Sequence, residues 1–413
     1  MVGWLVQTGT TVQAVIDTGY VLTNSQLVTV TLPTSVNVGD IVRISGAGAG
    51  GWEISQNASQ SVVGNFSGYA NSYWTASSAS GAKWVSIASS ADGNKLVAAA
   101  DDKGIFNSAD GGATWPQGTG SPAGADGVAS SADGTKLAAV FNNSGLGGNI
   151  FTSTNSGGAW TKQAGAPTTN WWSVASSADG TKLVAVVNGG KIYKSADSGV
   201  TWTPQTGSPS SAAWNAVASS VNGSNLVAVI RGGGIYTNSG TSWTATSAPT
   251  KNWISVASSA DGSKLAAMVV GGGIYTSSNF GSTWTQQLNA PANTNWLSIA
   301  SSADGGKLAA VIDGGGIYLS SNFGITWTQQ PNAPIASWQG IASSADGTKL
   351  AAAINSPTAA PLGIYLSQAA LQTSSMTGTN GFISGGQGTA VELQYIGNGK
   401  FMPVSSAGTI WAN

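Results

Sequence analysis

From Trp84 onward the chain alternates bulky and small side chains, Trp-Val-Ser-Ile-Ala-Ser-Ser, turns at Asp92-Gly93, and resumes as Lys95-Leu-Val-Ala-Ala. A period of two marks a strand with a different environment on each face. Trp84, Ser86 and Ala88 are therefore expected on one face, and Val85 and Ile87 on the other. Two shorter apolar runs follow, Gly104-Ile-Phe-Asn-Ser108 and a segment centred on Trp115. Each is bounded by glycine-rich or polar turns, so the unit reads as four short strands. The Asp-Gly dipeptide suits a tight hairpin in which both turn residues take positive φ.

The same pattern recurs seven times. The Asp or Asn of the turn falls at Asp92, Asp133, Asp179, Asn222, Asp261, Asp304 and Asp346, giving spacings of 41, 46, 43, 39, 43 and 42 residues. A repeat of about 40–45 residues with four strands each predicts the blades of a β-propeller. The outer strand carries Trp115, Trp160, Trp202, Trp243, Trp284 and Trp327, and is missing after the seventh turn. The missing piece lies before the first repeat, as Tyr73-Trp74-Thr75. An all-β, seven-bladed propeller over residues 68–372, with its last blade closed by the Trp74 strand, is expected, because an open ring would leave two unpaired sheet edges. The flanks, 1–67 and 373–413, lack the repeat but are strand-like, as in Leu27-Val-Thr-Val-Thr-Leu32 and Ala390-Val-Glu-Leu-Gln-Tyr395. Closure brings the propeller's ends together, so the flanks are expected to form one small β domain for attachment or oligomerisation, with the propeller inserted in it. Two separate terminal modules are the alternative.

Two turns, Ser108-Ala-Asp110-Gly-Gly112-Ala-Thr-Trp115 and Ser195-Ala-Asp197-Ser-Gly199-Val-Thr-Trp202, have the form S-x-D-x-G-x-x-W. Asn replaces Asp at Asn155, Asn279 and Asn322. This resembles the Asp-box, or BNR repeat, of propellers such as sialidases, sortilin-type receptors and photosystem II assembly factors. The resemblance implies architecture; the Asp or Asn is expected to bond the turn's own amides while the Trp covers the hairpin. The flanking runs around 28–62 and 388–404 resemble small β modules of phage tail fibres.

Composition narrows the chemistry. Charged residues are 8% of the chain, against about 25% in a typical domain, so the surface is built of Ser, Thr, Asn and Gly. A net charge of −1 leaves no electrostatic footprint for nucleic acid. No apolar run is long enough to span a membrane, and the N-terminus has no signal-peptide pattern. A virion protein released by lysis needs none, so a virion-surface or extracellular location is expected. The chain has no His and no Cys, which removes the commonest general base and a thiol nucleophile. A sialidase-like site needs clustered arginines and a glutamate, whereas the propeller has Arg231 alone and no Glu. The aspartates outside the repeated turns are Asp101, Asp102, Asp126 and Asp313, and no motif pairs them. No catalytic residue, metal or cofactor is assigned; Asp101 and Asp102 can be read as calcium ligands or as solvated loop charges.

In a four-stranded meander the first and third turns share one end and the second turn lies at the other. The Asp-Gly turns and Asp-boxes thus sit together, alike in every blade. The opposite end collects what differs: Asp101, Asp102, the 142–149 loop, Arg231, Asp313 and the loop holding Pro357 and Pro361. It also receives the Trp that opens each inner strand: Trp84, Trp171, Trp214, Trp253, Trp296 and Trp338, with Ala125 in the second repeat. These rings serve either as exposed platforms for sugars or as packing between blades. Trp172, outside the repeat, is the stronger candidate for exposure. Ligand binding is accordingly expected at Trp171, Trp172, Trp214, Trp253, Trp296, Trp338, Arg231, Asp313, Asp101 and Asp102. The function expected is a non-enzymatic virion appendage protein that contacts a host surface or glycan and assembles with itself or other virion subunits. A structural decorating subunit and a divergent Asp-box glycosidase are the alternatives.

Overall fold

The computed structural model describes residues 3–48, 50–68, 73–142, 148–240, 242–356, 362–368, 371–374, 382–407 and 410–412. Most of the 142–149 loop and the Pro357/Pro361 loop lie outside the described residues. The chain divides into two compact units, Met1–Ser72 with Ala369–Asn413, and Tyr73–Gln368.

The larger unit is a ring of seven antiparallel sheets. The third blade is representative: Trp171–Ser176, Leu183–Gly190, Ile192–Ser195 and Thr203–Pro204 pair in that order. In the first blade the outer strand shrinks to a single bridge between Phe106 and Gln117, because Pro116 stands where other blades have Thr and lacks an N–H to donate. The last blade takes its outer strand from Tyr73–Ala76, with Ser367 opposite Trp74 and Leu366 opposite Thr75. The ring is thus closed as the missing Trp predicts.

A circle of hydrogen bonds runs through the Asp-Gly turns. The N–H of Ala91 donates to the carbonyl of Ala132, Ala132 to Ala178, Ala178 to Val221, Val221 to Ala260, Ala260 to Ala303, Ala303 to Ala345, and Ala345 back to Ala91, each at 2.7–2.8 Å. One feature of these turns differs from expectation. Only the glycine of each pair takes a positive φ, 71° at Gly93 and 66° at Gly134. The reason is loop length: Ser90 N–H closes on the Lys95 carbonyl across four residues, so Asp92 is free to stay right-handed. The Ser90 hydroxyl and Asn94 N–H fasten its carboxylate instead. Glycine is needed for a second reason, since a Cβ on Gly93 would lie 2.8 Å from Lys349 Cβ of the neighbouring blade.

The inner strands also depart from simple alternation. Trp171 faces Val187 while Ser173 faces Val186, so Trp172 is an extra residue, a β-bulge. The same register shift occurs in all seven blades. The bulge moves Trp84 onto the face of Ile87, in the core shared with the seventh blade, and Val85 and Ala88 onto the other face. The expected grouping of Trp84 with Ser86 and Ala88 fails for that reason. The inner strands do not pair with one another; only their first residues reach the preceding blade's second strand, as Ala213 does with Asn188. Serine hydroxyls bridge some of them: Ser86 accepts from Val128 N–H, Ser173 from Val217 and Ser255 from Ile299.

The second blade compensates for its missing Trp. Ala125 lies opposite Phe141, where the third blade sets Trp171 opposite Val187. Phe141 is fully buried and packs edge-on against Phe151 with 5.2 Å between centroids. Bulk lost from one strand is regained on its neighbour.

The smaller unit winds between two stacks of parallel strands. Gly3–Gln7, Thr18–Leu22 and Ile41–Gly46 form one, and Thr11–Gln13, Val28–Thr31 and Trp52–Ser55 the other. C-terminal strands close both: Ala390–Gly397 pairs antiparallel with Ile41–Gly46, and Phe382–Gly385 with Trp52–Ser55. Alternate residues, including Tyr20, Leu22, Val42, Ile44, Val28, Val30 and Ile54, fill a common core. Arg43 and Glu392, opposite each other, form a two-pronged ion pair at 2.7 and 3.1 Å, so the two ends of the chain share one body.

Two outcomes follow. Ala125→Trp overpacks the second blade and costs about 2 kcal/mol; Phe141→Val costs roughly 2 kcal/mol through a cavity. Their combination restores most of the loss, which a double-mutant cycle of urea unfolding measures. The second concerns acid. Hydrogen bonds from the Thr114 hydroxyl, the Ser131 hydroxyl and the Thr201 hydroxyl, respectively, hold the carboxyls of Asp110, Asp133 and Asp197 down to about 2. Folded values below the ordinary one mean that this stabilisation is complete above pH ~4 and lost as pH falls toward ~2. Thermal melts should drop most steeply in that window, and Asp110→Asn should flatten the drop; an unchanged profile would count against this account.

Candidate functional site

Five of the six tryptophans opening the inner strands and named as ligand platforms, Trp171, Trp214, Trp253, Trp296 and Trp338, have 0% exposure. They do not meet ligand. The bulge turns them into the seams between blades: Trp171 packs among Ala138, Val140 and Ile150 of one blade and Leu183 and Ala185 of the next. Tyr193 meets it edge-on at 5.1 Å, and its Nε1 donates to the Pro167 carbonyl. Trp253, Trp296 and Trp338 donate likewise to Pro249, Pro291 and Pro334.

Trp172 behaves differently because it is the bulged residue, and is 36% exposed. The equivalent residues are Val85, Asp126, Asn215, Ile254, Leu297 and Gln339. All seven differ, in a repeat that otherwise changes little. Six of them, all but Ile254, line one axial cavity of about 170 Å³. A bulge re-aims a side chain away from the ladder; here it brings a variable residue from six of the seven blades to the cavity, while Ile254 packs against the core between its blade and the next. Sequence reasoning selected Trp172 but missed the ring, because strict alternation gives the residue after each opening Trp no place of its own.

A second variable position surrounds this end. The sixth residue of each second strand is Asp101, Asn142, Asn188, Arg231, Val270, Asp313 or Asn355. Arg231 pairs with Asn252 and Asp313 with Ser337, across to the next blade's inner strand. Arg231, Asp313 and Asp101 are exposed, and they occupy equivalent places in different blades, forming a ring rather than a cluster. Asp102 accepts the Lys83 N–H at 2.9 Å and so serves its own turn.

Asp126 was set aside in the sequence for want of a motif, yet it is the charged member of the axial ring. Asn142 holds it with two donors, the backbone N–H at 2.6 Å and Nδ2 at 2.8 Å. Burial pushes its carboxyl up to about 6 in spite of those bonds, and the like charge of Asp101 adds to the rise. The Asp-box carboxylates, by contrast, are fully engaged: Asp110 accepts from the Ser108 hydroxyl, Thr114 N–H and Thr114 hydroxyl, while Trp115 Nε1 donates to Gly112. The Asp-box end also exposes apolar side chains, Val200, Val221, Phe280 and Ile325, in neighbouring blades. Among the described residues no group of three or more carboxylates is placed to hold a metal ion.

Comparison with known proteins agrees with this architecture. Residues 274–287 and 317–330 match the BNR-Asp box repeat family. No curated protein matches the chain. The fold is similar to that of YCF48 from Cyanidioschyzon merolae, at 17% identity and a TM-score of 0.54, over 72% of this chain and 98% of that one. A structure described as YCF48 bound to D1 peptide is similar over 75% of this chain and 98% of that one, at 17% identity and a TM-score of 0.55. The GH74 xyloglucanase from Xanthomonas campestris matches with 14% identity and a TM-score of 0.54, over 71% of this chain and 55% of the enzyme. At these identities the likeness is one of fold. The chain carries an Asp-box β-propeller.

Asp126 makes a pH signature. Its folded value lies above the ordinary one, so the folded state holds the extra proton between pH ~4 and ~6, and stability falls as pH rises through that window. Asp126→Asn should remove this slope and raise stability at pH 7 by about 1 kcal/mol, a figure discounted for partial contact with water. Urea titrations at pH 4.5 and 7 check it.

Proposed function

We propose that this chain is a non-enzymatic recognition protein of a virion appendage, which contacts a host surface or glycan through the propeller end carrying the two variable rings. The observation that carries this reading is the distribution of difference. Seven nearly identical blades vary at the bulged residue and at the sixth residue of the second strand, and both positions open at one end. Rigid scaffolds that display variable positions are the usual setting of recognition. An exposed Trp172 flanked by amides offers an apolar face and hydrogen-bonding groups together, as neutral saccharides require. The small unit is the attachment or self-assembly part in this reading, supported by its exposed first strand with Trp4, Leu5 and Val6.

A second reading is an assembly subunit whose partner is a protein. It is supported by the exposed apolar residues at the Asp-box end and by the peptide-bound YCF48 structure among its fold relatives.

Glycan-array binding of the full chain separates the two. Recognition at the variable end predicts binding that falls at least ~10-fold in Trp172→Ala or Arg231→Ser, the size expected for one stacked ring or charged contact. An array with no response, together with protein capture lost in Phe280→Ser, would favour assembly.

A further inference from the structure

We infer that the axial cavity binds an organic ammonium group, with Asp126 as its counter-ion and the Trp172 ring as its aromatic wall. The inference deepens the recognition reading above and rests on it for the choice of end. Its premises are geometric. Asp126 and Trp172 are the bulged residues of adjacent blades, whose inner strands run so close that a Cβ on Gly127 would lie 3.3 Å from the Trp172 carbonyl. Asn215 follows in the next blade and fixes its amide by donating Nδ2 to the Ile254 carbonyl at 2.6 Å. The opposite arc of the cavity mixes Leu297 and Val85 with the polar residues Ser298, Gln339 and Ser86.

Charge selects the ligand. The cavity is lined by a carboxylate and by no lysine or arginine, and the charge that acts on Asp126, that of Asp101, is a like one. Asn142 supplies hydrogen bonds to both Asp126 oxygens but no countercharge. Burying a carboxylate without a cation is costly, and a bound ammonium removes that cost. A cation set against the Trp172 indole face gains further attraction from the ring quadrupole. The raised proton affinity of Asp126 is consistent with a carboxylate that lacks its cation.

Volume sets the size. About 170 Å³ is close to the ~150 Å³ of a cavity that admits benzene. One ring or chain end fits, and a polymer does not. The ligand is therefore a terminal ammonium group, presented on an amino sugar, a lysine side chain or a choline headgroup.

The test is calorimetric titration of the full chain at pH 7.5 with choline, glucosamine, N-acetyl-lysine methylamide and the neutral isostere of choline, 3,3-dimethylbutanol. At least one ammonium compound should bind, and choline should exceed its isostere by ~10-fold, the scale of one cation–π contact together with a carboxylate counter-ion. Asp126→Asn should abolish that preference while melting no lower than the parent chain. Trp172→Tyr should retain binding that Trp172→Leu loses. The compound that binds best identifies the source as sugar, protein or lipid headgroup. Equal binding of choline and its isostere, no ammonium binding up to saturating solubility, or full binding by folded Asp126→Asn would each overturn the inference. Ammonium binding without any glycan-array response would retain it and sink the host-glycan reading; an array response unaffected by Asp126→Asn would do the reverse.

Discussion

The circle of backbone hydrogen bonds from Ala91 through Ala345 and back to Ala91 is the constraint on which the propeller's other features depend. Each bond contributes about 1 kcal/mol net, which is modest, but the seven share one geometric condition. Every turn must lie at the same height and radius as its neighbours. That condition explains why Gly93 and its equivalents are both left-handed and closely covered by a side chain of the preceding blade, a lysine everywhere but at Gly262, which Asn225 covers. It explains too why the turn aspartates are bound by their own serines and amides rather than left to solvent. One end of the wheel is thereby fixed, and variation is displaced to the other.

At that other end the bulge solves a packing problem and creates a site in the same step. Seven inner strands converge on an axis, and strict alternation would put every second side chain into a narrow tunnel. Adding one residue lets the Trp turn into the seam between blades, where Tyr193 or its equivalent meets it, and leaves a single neighbour facing inward. The seam residues are then constrained by both blades, as Ala125 and Phe141 show by exchanging bulk across one strand pair. The bulged residue lies outside the Trp–Tyr contact that repeats in the seams, and it differs in every blade. Val85, Asp126, Trp172, Asn215, Ile254, Leu297 and Gln339 are the result.

Much of this was legible in the sequence because repetition is a strong signal. The spacing of Asp92 to Asp346 predicts the blades, and the missing outer Trp after Ser367 predicts the closing strand at Trp74. The bulge was not legible, because Trp-Trp-Ser-Val and Trp-Val-Ser-Ile read equally well as plain alternation; a register shift is a property of two strands, and one strand's pattern does not contain it. Exposure was undecided for the same reason: Trp171, Trp214, Trp253, Trp296 and Trp338 read either as ligand platforms or as packing between blades, and they are buried in the seams. The small unit was visible as strands at Val28–Thr31 and Ile41–Gly46. Its two parallel stacks were not, since short runs such as Thr11–Gln13 carry too few residues to declare a period.

Asp126 escaped a motif search because no motif surrounds it, and physical chemistry distinguishes it better than sequence does. Asp110, Asp133 and Asp197 accept several hydrogen bonds in turns open to water, and their carboxyls move down. Asp126 also accepts hydrogen bonds, yet its carboxyl moves up. The difference is desolvation without countercharge, which two amide donors from Asn142 do not offset. Structural aspartates in this chain make the fold more stable when ionised; this one makes it less so. A cost of that sign persists where something other than folding requires the charge, and this is the physical basis of the binding role proposed for Asp126.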